Sequence, residues 1–127
     1  MTRKKVLIIE DDELIRRMYE QVFLFNKYDV LLAVDGVDGL DKARTQGIDM
    51  ILLDIMMPSL NGLDMLRKLK AIPELAKTPV VVLTNLLGAE YAQQALAAGA
   101  LRYICKSDYS PKEIADMVFK LLPTTAE

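Results

Sequence analysis

The chain has 127 residues, of which 52% are hydrophobic and 27% charged, and its formal net charge is -2 at pH 7. These totals are typical of one soluble domain. They argue against a general nucleic-acid surface, and no apolar run approaches the roughly 18 residues of a membrane span. The first apolar run, residues 6–9, is too short for a secretion signal, so we expect one cytoplasmic domain over residues 1–127, without direct nucleic-acid contact or membrane insertion.

Five short apolar runs alternate with segments of helical periodicity. The runs cover residues 6–9, 30–33, 50–53, 80–83 and 103–105. Their apolar residues are continuous, as in strands of a parallel sheet that helices cover on both faces. A first helix is predicted over residues 13–25, with Asp11 or Asp12 available to cap it. Its apolar stripe consists of Leu14, Ile15, Met18, Val22 and Phe25.

The three middle helices are predicted from shorter patterns. The second covers residues 36–44, and the third begins near Gly62. The inward stripe of the third helix consists of Leu63, Leu66 and Leu69. The fourth helix, residues 88–98, is rich in alanine and stops at Gly99, a residue suited to the left-handed conformation that follows many helices.

The last helix has the clearest start signal. Ser110, Pro111 and Glu113 supply an N-cap, a first-turn proline and the return hydrogen bond of a capping box. The apolar stripe behind them consists of Ile114, Met117, Val118 and Leu121. Five strands alternating with five helices predict right-handed crossovers and an α/β fold with an open, doubly wound parallel sheet.

Polar residues follow four of the five predicted strands. Glu10 and Asp11 follow the first, Asp54 the third, Thr84 the fourth and Lys106 the fifth. In an open parallel sheet, ligands bind beyond the carboxyl ends of the strands. We expect the first and third strands to be neighbours. Two unit charges about 4 Å apart repel by roughly 4 kcal/mol at an effective dielectric near 20, so three carboxylates there need a cation.

The residue types narrow the chemistry of such a site. The chain contains no histidine and a single cysteine, which excludes histidine-based triads and argues against zinc. Hard carboxylate oxygens favour Mg²⁺, with Mn²⁺ as a substitute. Asp54 can attack phosphorus and form an acyl phosphate, while the metal and Lys106 neutralise charge on the phosphoryl oxygens and Thr84 donates its hydroxyl.

These residues resemble the receiver domain of bacterial two-component response regulators. The segments that carry the resemblance are VLIIEDDELIRR, LLDIMMPSLNGLDML, PVVVLT and YICKS, and the similarity covers the chain from residue 6 to about residue 122. The resemblance implies a flavodoxin-like sheet of five strands in the order 2-1-3-4-5 with five helices. It also implies that Asp11 and Asp54 bind Mg²⁺ directly, that Glu10 acts through a metal-bound water, and that the backbone carbonyl of Met56 is a further ligand.

The resemblance further implies a switch. Asp54 is the phosphorylated residue, Thr84 and Lys106 contact the phosphoryl group, and Tyr103 turns inward when Thr84 moves. By this interpretation the chain is no enzyme beyond its own phosphorylation and dephosphorylation. A sensor histidine kinase or a histidine phosphotransfer protein donates the phosphoryl group, and a downstream effector protein recognises the result.

Three departures from the usual pattern of the family involve four positions. Ser107 stands where a proline in a cis linkage is usual, which makes the placement of Lys106 a question for the structure. Asn85 replaces a very small residue and can restrict access to the phosphoryl group or add a hydrogen bond. Leu101 and Arg102 replace an acidic pair, so we expect a monomer or a weak dimer.

Three hypotheses follow. The first is a stand-alone receiver that is phosphorylated on Asp54. The second is a receiver-like scaffold that is not phosphorylated and acts by constitutive protein–protein interaction. Ser107 and Asn85 are the observations that suggest it. The third, a flavodoxin-like enzyme that binds a nucleotide or flavin, is disfavoured because an anionic ligand after the first strand would meet Glu10 and Asp11.

Overall fold

The computed structural model describes residues 3–45, 47–54, 56–57, 60–84 and 89–124. Its strands are β1 (Lys5–Ile9), β2 (Asp29–Ala33), β3 (Met50–Asp54), β4 (Met56–Met57), β5 (Leu60–Asn61), β6 (Val80–Thr84) and β7 (Arg102–Cys105). Five of them form a parallel sheet in the order β2-β1-β3-β6-β7, and β4 pairs with β5 in a short antiparallel hairpin. The predicted α/β class is confirmed. The predicted order 2-1-3-4-5 is also confirmed, because the fourth and fifth predicted strands are β6 and β7.

Five α-helices connect the strands and cover both faces of the sheet. They are α1 (Glu13–Phe25), α2 (Gly36–Thr45), α3 (Gly62–Ala71), α4 (Ala89–Ala97) and α5 (Pro111–Leu121). Side chains of α1 and α5 pack on one face, and side chains of α2, α3 and α4 pack on the other. Within the described residues, no helix has the length and apolar character required to cross a bilayer.

The burial of the central strands explains their uninterrupted apolar sequences. All residues of β3 and β6 are buried. In β3, Ile51 and Leu53 pack against the α2–α4 face, whereas Met50 and Leu52 pack against the α1 and α5 face. Because successive side chains of a strand point to opposite faces, a sheet with two covered faces requires apolar residues at every position.

The predicted helix caps are present. The backbone N–H of Ile15 donates to Asp12 Oδ1 at 3.0 Å, so Asp12 caps α1. At the start of α5, Glu113 N–H donates to Ser110 Oγ at 3.1 Å, and Ser110 N–H donates to the Glu113 carboxylate at 2.9 Å. This reciprocal capping box satisfies backbone donors that have no partner inside the helix.

The buried face of α1 differs from the predicted stripe. Tyr19 and Phe23 are buried, whereas Leu14 and Phe25 are 72% and 79% exposed and Met18 is also exposed. Burial of Ile15 and Val22 is only partial. The predicted stripe was therefore wrong for Leu14, Met18 and Phe25. The helix instead turns two aromatic side chains one turn apart towards the core, where the Phe23 ring packs edge-on against Tyr28.

Two glycines with positive φ allow a matched stability test. Gly99 follows α4 with φ of 111°, and a Cβ built there would lie 3.0 Å from Lys70 Cγ. Gly47 has φ of 65°, and a Cβ there would meet no described atom within 4 Å. We expect G99A to lower the free energy of unfolding by about 2 kcal/mol and G47A by about 1 kcal/mol. Urea denaturation of both variants measures the difference, and equal losses would contradict it.

Candidate functional site

Acidic residues from two strands converge at the carboxyl edge of the sheet. Glu10 and Asp11 follow β1, and Asp54 is the last residue of β3. The two strands are hydrogen-bonded neighbours, with Ile9 opposite Leu53. One carboxylate oxygen from each of the three acids lies within 4.8 Å of the others. The structure therefore brings together the three carboxylates that the sequence places at strand ends.

Lys106 joins this cluster from the end of β7. Its Nζ donates to Asp54 Oδ2 at 3.1 Å and also to Glu10 Oε1. The described peptide bonds are all trans, so the bond between Lys106 and Ser107 is trans as well. Serine in place of proline is therefore compatible with a lysine that reaches both buried carboxylates.

The turn after β1 holds Glu10 through several hydrogen bonds. The Glu10 N–H donates to the Ala33 carbonyl at 3.1 Å, which continues the pairing of β1 with β2. The Asp12 N–H donates to Glu10 Oε2 at 3.2 Å. Both Glu10 and Asp54 are buried, with exposures of 3% and 6%, while Asp11 is exposed. Two buried acids beside one exposed acid form a partly open crevice.

The electrostatics of the cluster are unbalanced towards negative charge. Burial raises the pKa of Glu10 to about 7; the hydrogen bond from Lys106 opposes this shift, and the charge of Asp54 adds to it. Burial alone would lower the pKa of Lys106, but its hydrogen bond to Glu10 and the charge of Asp54 outweigh that effect and raise it. Lys106 is therefore a cation at neutral pH, and within the described part of the chain it is the cation paired with the carboxylates of this three-acid cluster.

Comparison with known proteins identifies the family. The sequence model of the response regulator receiver domain matches residues 6–119. The chain belongs to this family. Among curated relatives, the response regulator ArlR of Staphylococcus aureus is 33% identical over 117 residues, which are 92% of this chain and 50% of that protein. This receiver thus spans about half the length of the curated relatives it matches.

Solved structures give the same result for the fold. The chemotaxis response regulator CheY4 of Vibrio cholerae superposes with a TM-score of 0.88 at 28% identity, covering 95% of this chain and 100% of that one. A CheY-like response regulator receiver domain protein from Methanospirillum hungatei superposes with a TM-score of 0.86 at 27% identity, covering 94% and 93% of the two chains. The receiver is therefore a signalling module. Its fold does not require the third hypothesis, an enzyme that binds a flavin or a nucleotide.

The predicted switch residues lie on the paired strands β6 and β7. The Thr84 side chain at the end of β6 is fully buried, and Thr84 pairs with Cys105 of β7. Tyr103 is half-buried and packs against the α2–α4 core. Burial raises the pKa of its phenol. The inward rotation of Tyr103 remains a prediction, because one conformation alone does not test it.

Four other predicted positions have different outcomes. Met56 lies in β4, two residues after Asp54, but only its backbone pairing is described, so its role as a ligand remains a prediction. Asn85 lies outside the described residues. Leu101, just before the edge strand β7, and Arg102, its first residue, are both exposed, and their effect on dimerisation remains a prediction.

The donor set of the site fits a hard divalent cation. The three carboxylates can converge on one ion, and the one cation described among them, Lys106, contacts only Glu10 and Asp54. Asp11 remains exposed at the mouth of the crevice. Carboxylate oxygens at this spacing suit Mg²⁺ or Mn²⁺, which bind one or two protein carboxylates and retain several waters.

Sequence reasoning missed one residue beside the cluster. Tyr19 of α1 is buried, and burial raises the pKa of its hydroxyl; the charge of Lys106 opposes this shift, and the charges of Glu10 and Asp54 add to it. Tyr19 and Lys106 also line a shared groove of about 200 Å³. The available signal was the hydroxyl of Tyr19, an aromatic residue among aliphatic ones. Its place within a helix indicated only a role in packing.

The raised pKa of Glu10 predicts a pH dependence of stability. The folded protein binds this proton more tightly than the unfolded chain does, so the contribution is complete below pH 4.5 and is lost as the pH rises to about 7. We expect the metal-free protein to lose unfolding free energy across this range, relative to Glu10→Gln. Urea denaturation of both proteins at several pH values measures the difference. Parallel pH profiles would contradict the assignment.

Proposed function

We propose that this receiver accepts a phosphoryl group on Asp54 in a Mg²⁺-dependent reaction and thereby changes its surface for a downstream effector protein. The observation that supports it best is the position of Asp54. Its carboxylate is 6% exposed, accepts a hydrogen bond from Lys106, and lies within reach of Glu10 and Asp11. A buried carboxylate held by a cation at an open sheet edge suits a nucleophile.

In the proposed step, one Asp54 oxygen attacks phosphorus and the bond from phosphorus to the donor breaks, leaving the electron pair on the donor. Asp11, Asp54 and the Met56 carbonyl would hold Mg²⁺, with Glu10 contributing indirectly, and the ion would supply neutralisation of the phosphoryl oxygens. Lys106, which already contacts Asp54, would donate to another phosphoryl oxygen. Thr84 would donate its hydroxyl. Such electrostatic stabilisation is the main source of phosphoryl-transfer catalysis.

The donor histidine lies outside these 127 residues, because they contain no histidine. A cytoplasmic sensor histidine kinase or histidine phosphotransfer protein fits this requirement. Exposed Leu101 and Arg102 support a monomer or weak dimer, since neither supplies the charge complementarity of an acidic pair.

Phosphorylation would alter the balance of an already acidic crevice. The phosphoryl group would carry about -1.5 to -2 charges in place of the single carboxylate charge of Asp54, which would draw Lys106 and Thr84 towards it. Tyr103 pairs with Val82 on the strand that ends at Thr84, so movement at that strand end has a direct route to the β7 surface. An effector that prefers the altered surface would shift the population towards it.

The experiment that tests this function is incubation with acetyl phosphate, with Mg²⁺ or with a chelator. We expect the intact mass to increase by the mass of one phosphoryl group when Mg²⁺ is present, and to stay unchanged with the chelator. An unphosphorylated scaffold would show no increase in either condition. The contacts of Lys106 with Asp54 and Glu10 support phosphorylation over the scaffold alternative, because they form with Ser107 in place of proline.

A further inference from the structure

Arg16 folds back from α1 onto the turn that carries the acidic pair. Its Nη1 donates to the Glu10 carbonyl at 2.9 Å and to the Asp11 carbonyl at 3.2 Å. One guanidinium nitrogen therefore holds two consecutive carbonyl groups. The next residue, Arg17, behaves differently, because its Nε lies 3.5 Å from Glu13 and both side chains are mostly exposed.

The hydrogen bonds of this turn show what depends on Arg16. The Glu10 N–H is held by Ala33, and the Asp12 N–H is held by Glu10 Oε2. Asp11 itself is exposed, so core packing does not fix its backbone. Two neighbouring carbonyls directed at one nitrogen restrict rotation about the Asp11 backbone. Arg16 therefore restrains the backbone on both sides of Asp11, together with the Glu10 carboxylate that holds the Asp12 N–H.

The choice of acceptors also matters for the site. Arg16 binds the carbonyl oxygens of Glu10 and Asp11, and none of its described hydrogen bonds goes to their carboxylate oxygens. A simple nearby positive charge would weaken cation binding by Coulomb repulsion. A residue that orients a ligand has the opposite effect, since the partners that orient metal ligands raise metal affinity. The two roles therefore predict changes of opposite sign on removal of Arg16.

We propose that Arg16 is a positioning residue for the metal site, which orients Asp11 through the backbone of the turn after β1. This inference rests on the proposed function, because it presupposes that Asp11 binds Mg²⁺. It identifies a second route by which α1 supports the site, beyond the helix cap from Asp12.

The test is Mg²⁺ titration by isothermal calorimetry of the wild-type protein, R16M and the matched control R17M. Methionine keeps a long apolar stem and good helix propensity while removing the donors and the charge. We expect R16M to bind Mg²⁺ about 10-fold more weakly. R17M loses the same charge from the same helix and should bind as wild type or slightly more tightly.

Unchanged or tighter Mg²⁺ binding by R16M would overturn the proposal, as would an equal loss in R17M. If R16M does not fold by circular dichroism, R16K and R17K give the same comparison. Lysine keeps the charge but lacks the planar fork, so R16K should bind more weakly than R17K, and equal affinities would overturn the proposal. If the wild-type protein binds no Mg²⁺, both this inference and the proposed function are overturned. If the wild type binds Mg²⁺ but R16M binds it equally well, only this inference is overturned.

Discussion

Replacing Asp54 with Asn should abolish acyl-phosphate formation and leave the fold intact. The amide is too weak a nucleophile to attack phosphorus, so the loss should be complete rather than partial. The amide oxygen can still accept the hydrogen bond that Lys106 now donates at 3.1 Å. Removal of a charge next to Glu10 also reduces repulsion in the crevice, so stability should not fall. Intact mass after incubation with acetyl phosphate and Mg²⁺ measures the first effect, and urea denaturation measures the second.

The matched control for this variant is Asp64→Asn. Asp64 lies in the first turn of α3, is exposed, and pairs with Arg67 at 3.0 Å on the surface. D64N removes the same charge by the same chemical change, away from the sheet edge, and should be phosphorylated as wild type. Persistent labelling of D54N at the wild-type level would show that another residue is the acceptor.

Replacing Lys106 with Met should lower the free energy of unfolding of the metal-free protein by about 3 kcal/mol near neutral pH. The Lys106 side chain is 10% exposed, and its carboxylate partners Glu10 and Asp54 are 4% and 7% exposed. Without the ammonium group, both buried carboxylates lose the ion pair that Lys106 forms with them. The loss should shrink at lower pH, because Glu10 takes up a proton below about pH 7.

Two further proteins sharpen this experiment. Lys112→Met removes an exposed lysine from the first turn of α5 and should change stability little. In the double variant K106M with E10Q, most of the loss should be recovered, since one of the two buried charges that Lys106 neutralises is gone. Urea denaturation of wild type, K106M, E10Q and the double variant gives the coupling, with K112M as the surface control. If K106M were as stable as K112M, the described ion pairs would contribute nothing to the fold.

Much of the fold was predictable because its signals are local. The capping box of Ser110 and Glu113 and the cap from Asp12 involve residues three apart, so their side chains and the helix start appear together in the sequence. The apolar runs of β3 and β6 reflect burial on both faces, which leaves little freedom in residue choice. These features predicted the strands, the helix starts and the class of sheet.

The buried face of α1 was not predictable from apolar spacing alone. Leu14 and Phe25 are apolar and suitably spaced, yet they are exposed, while Tyr19 with its polar hydroxyl is buried. The rotation of α1 depends on how its aromatic side chains fit against the sheet and Tyr28, which is a tertiary property. The β4 and β5 hairpin was missed for another reason, since strands of two residues carry no periodicity.

The site was predictable in its membership but not in its internal contacts. Strand ends placed Glu10, Asp11, Asp54 and Lys106 at one edge, because parallel neighbours end together. The sequence did not indicate that Lys106 contacts Glu10 as well as Asp54, or that Arg16 holds the turn. Both contacts join residues whose separation is set by the folded sheet and helix.

The most direct test of the proposed account is the location of the phosphoryl group. Borohydride reduces an acyl phosphate to a stable alcohol, which peptide mass spectrometry can assign to one residue. After incubation with acetyl phosphate and Mg²⁺, we expect the reduced residue at position 54 alone. Reduction at Asp11 or at any other acidic residue instead, or no reduced residue in protein that binds Mg²⁺, would contradict it.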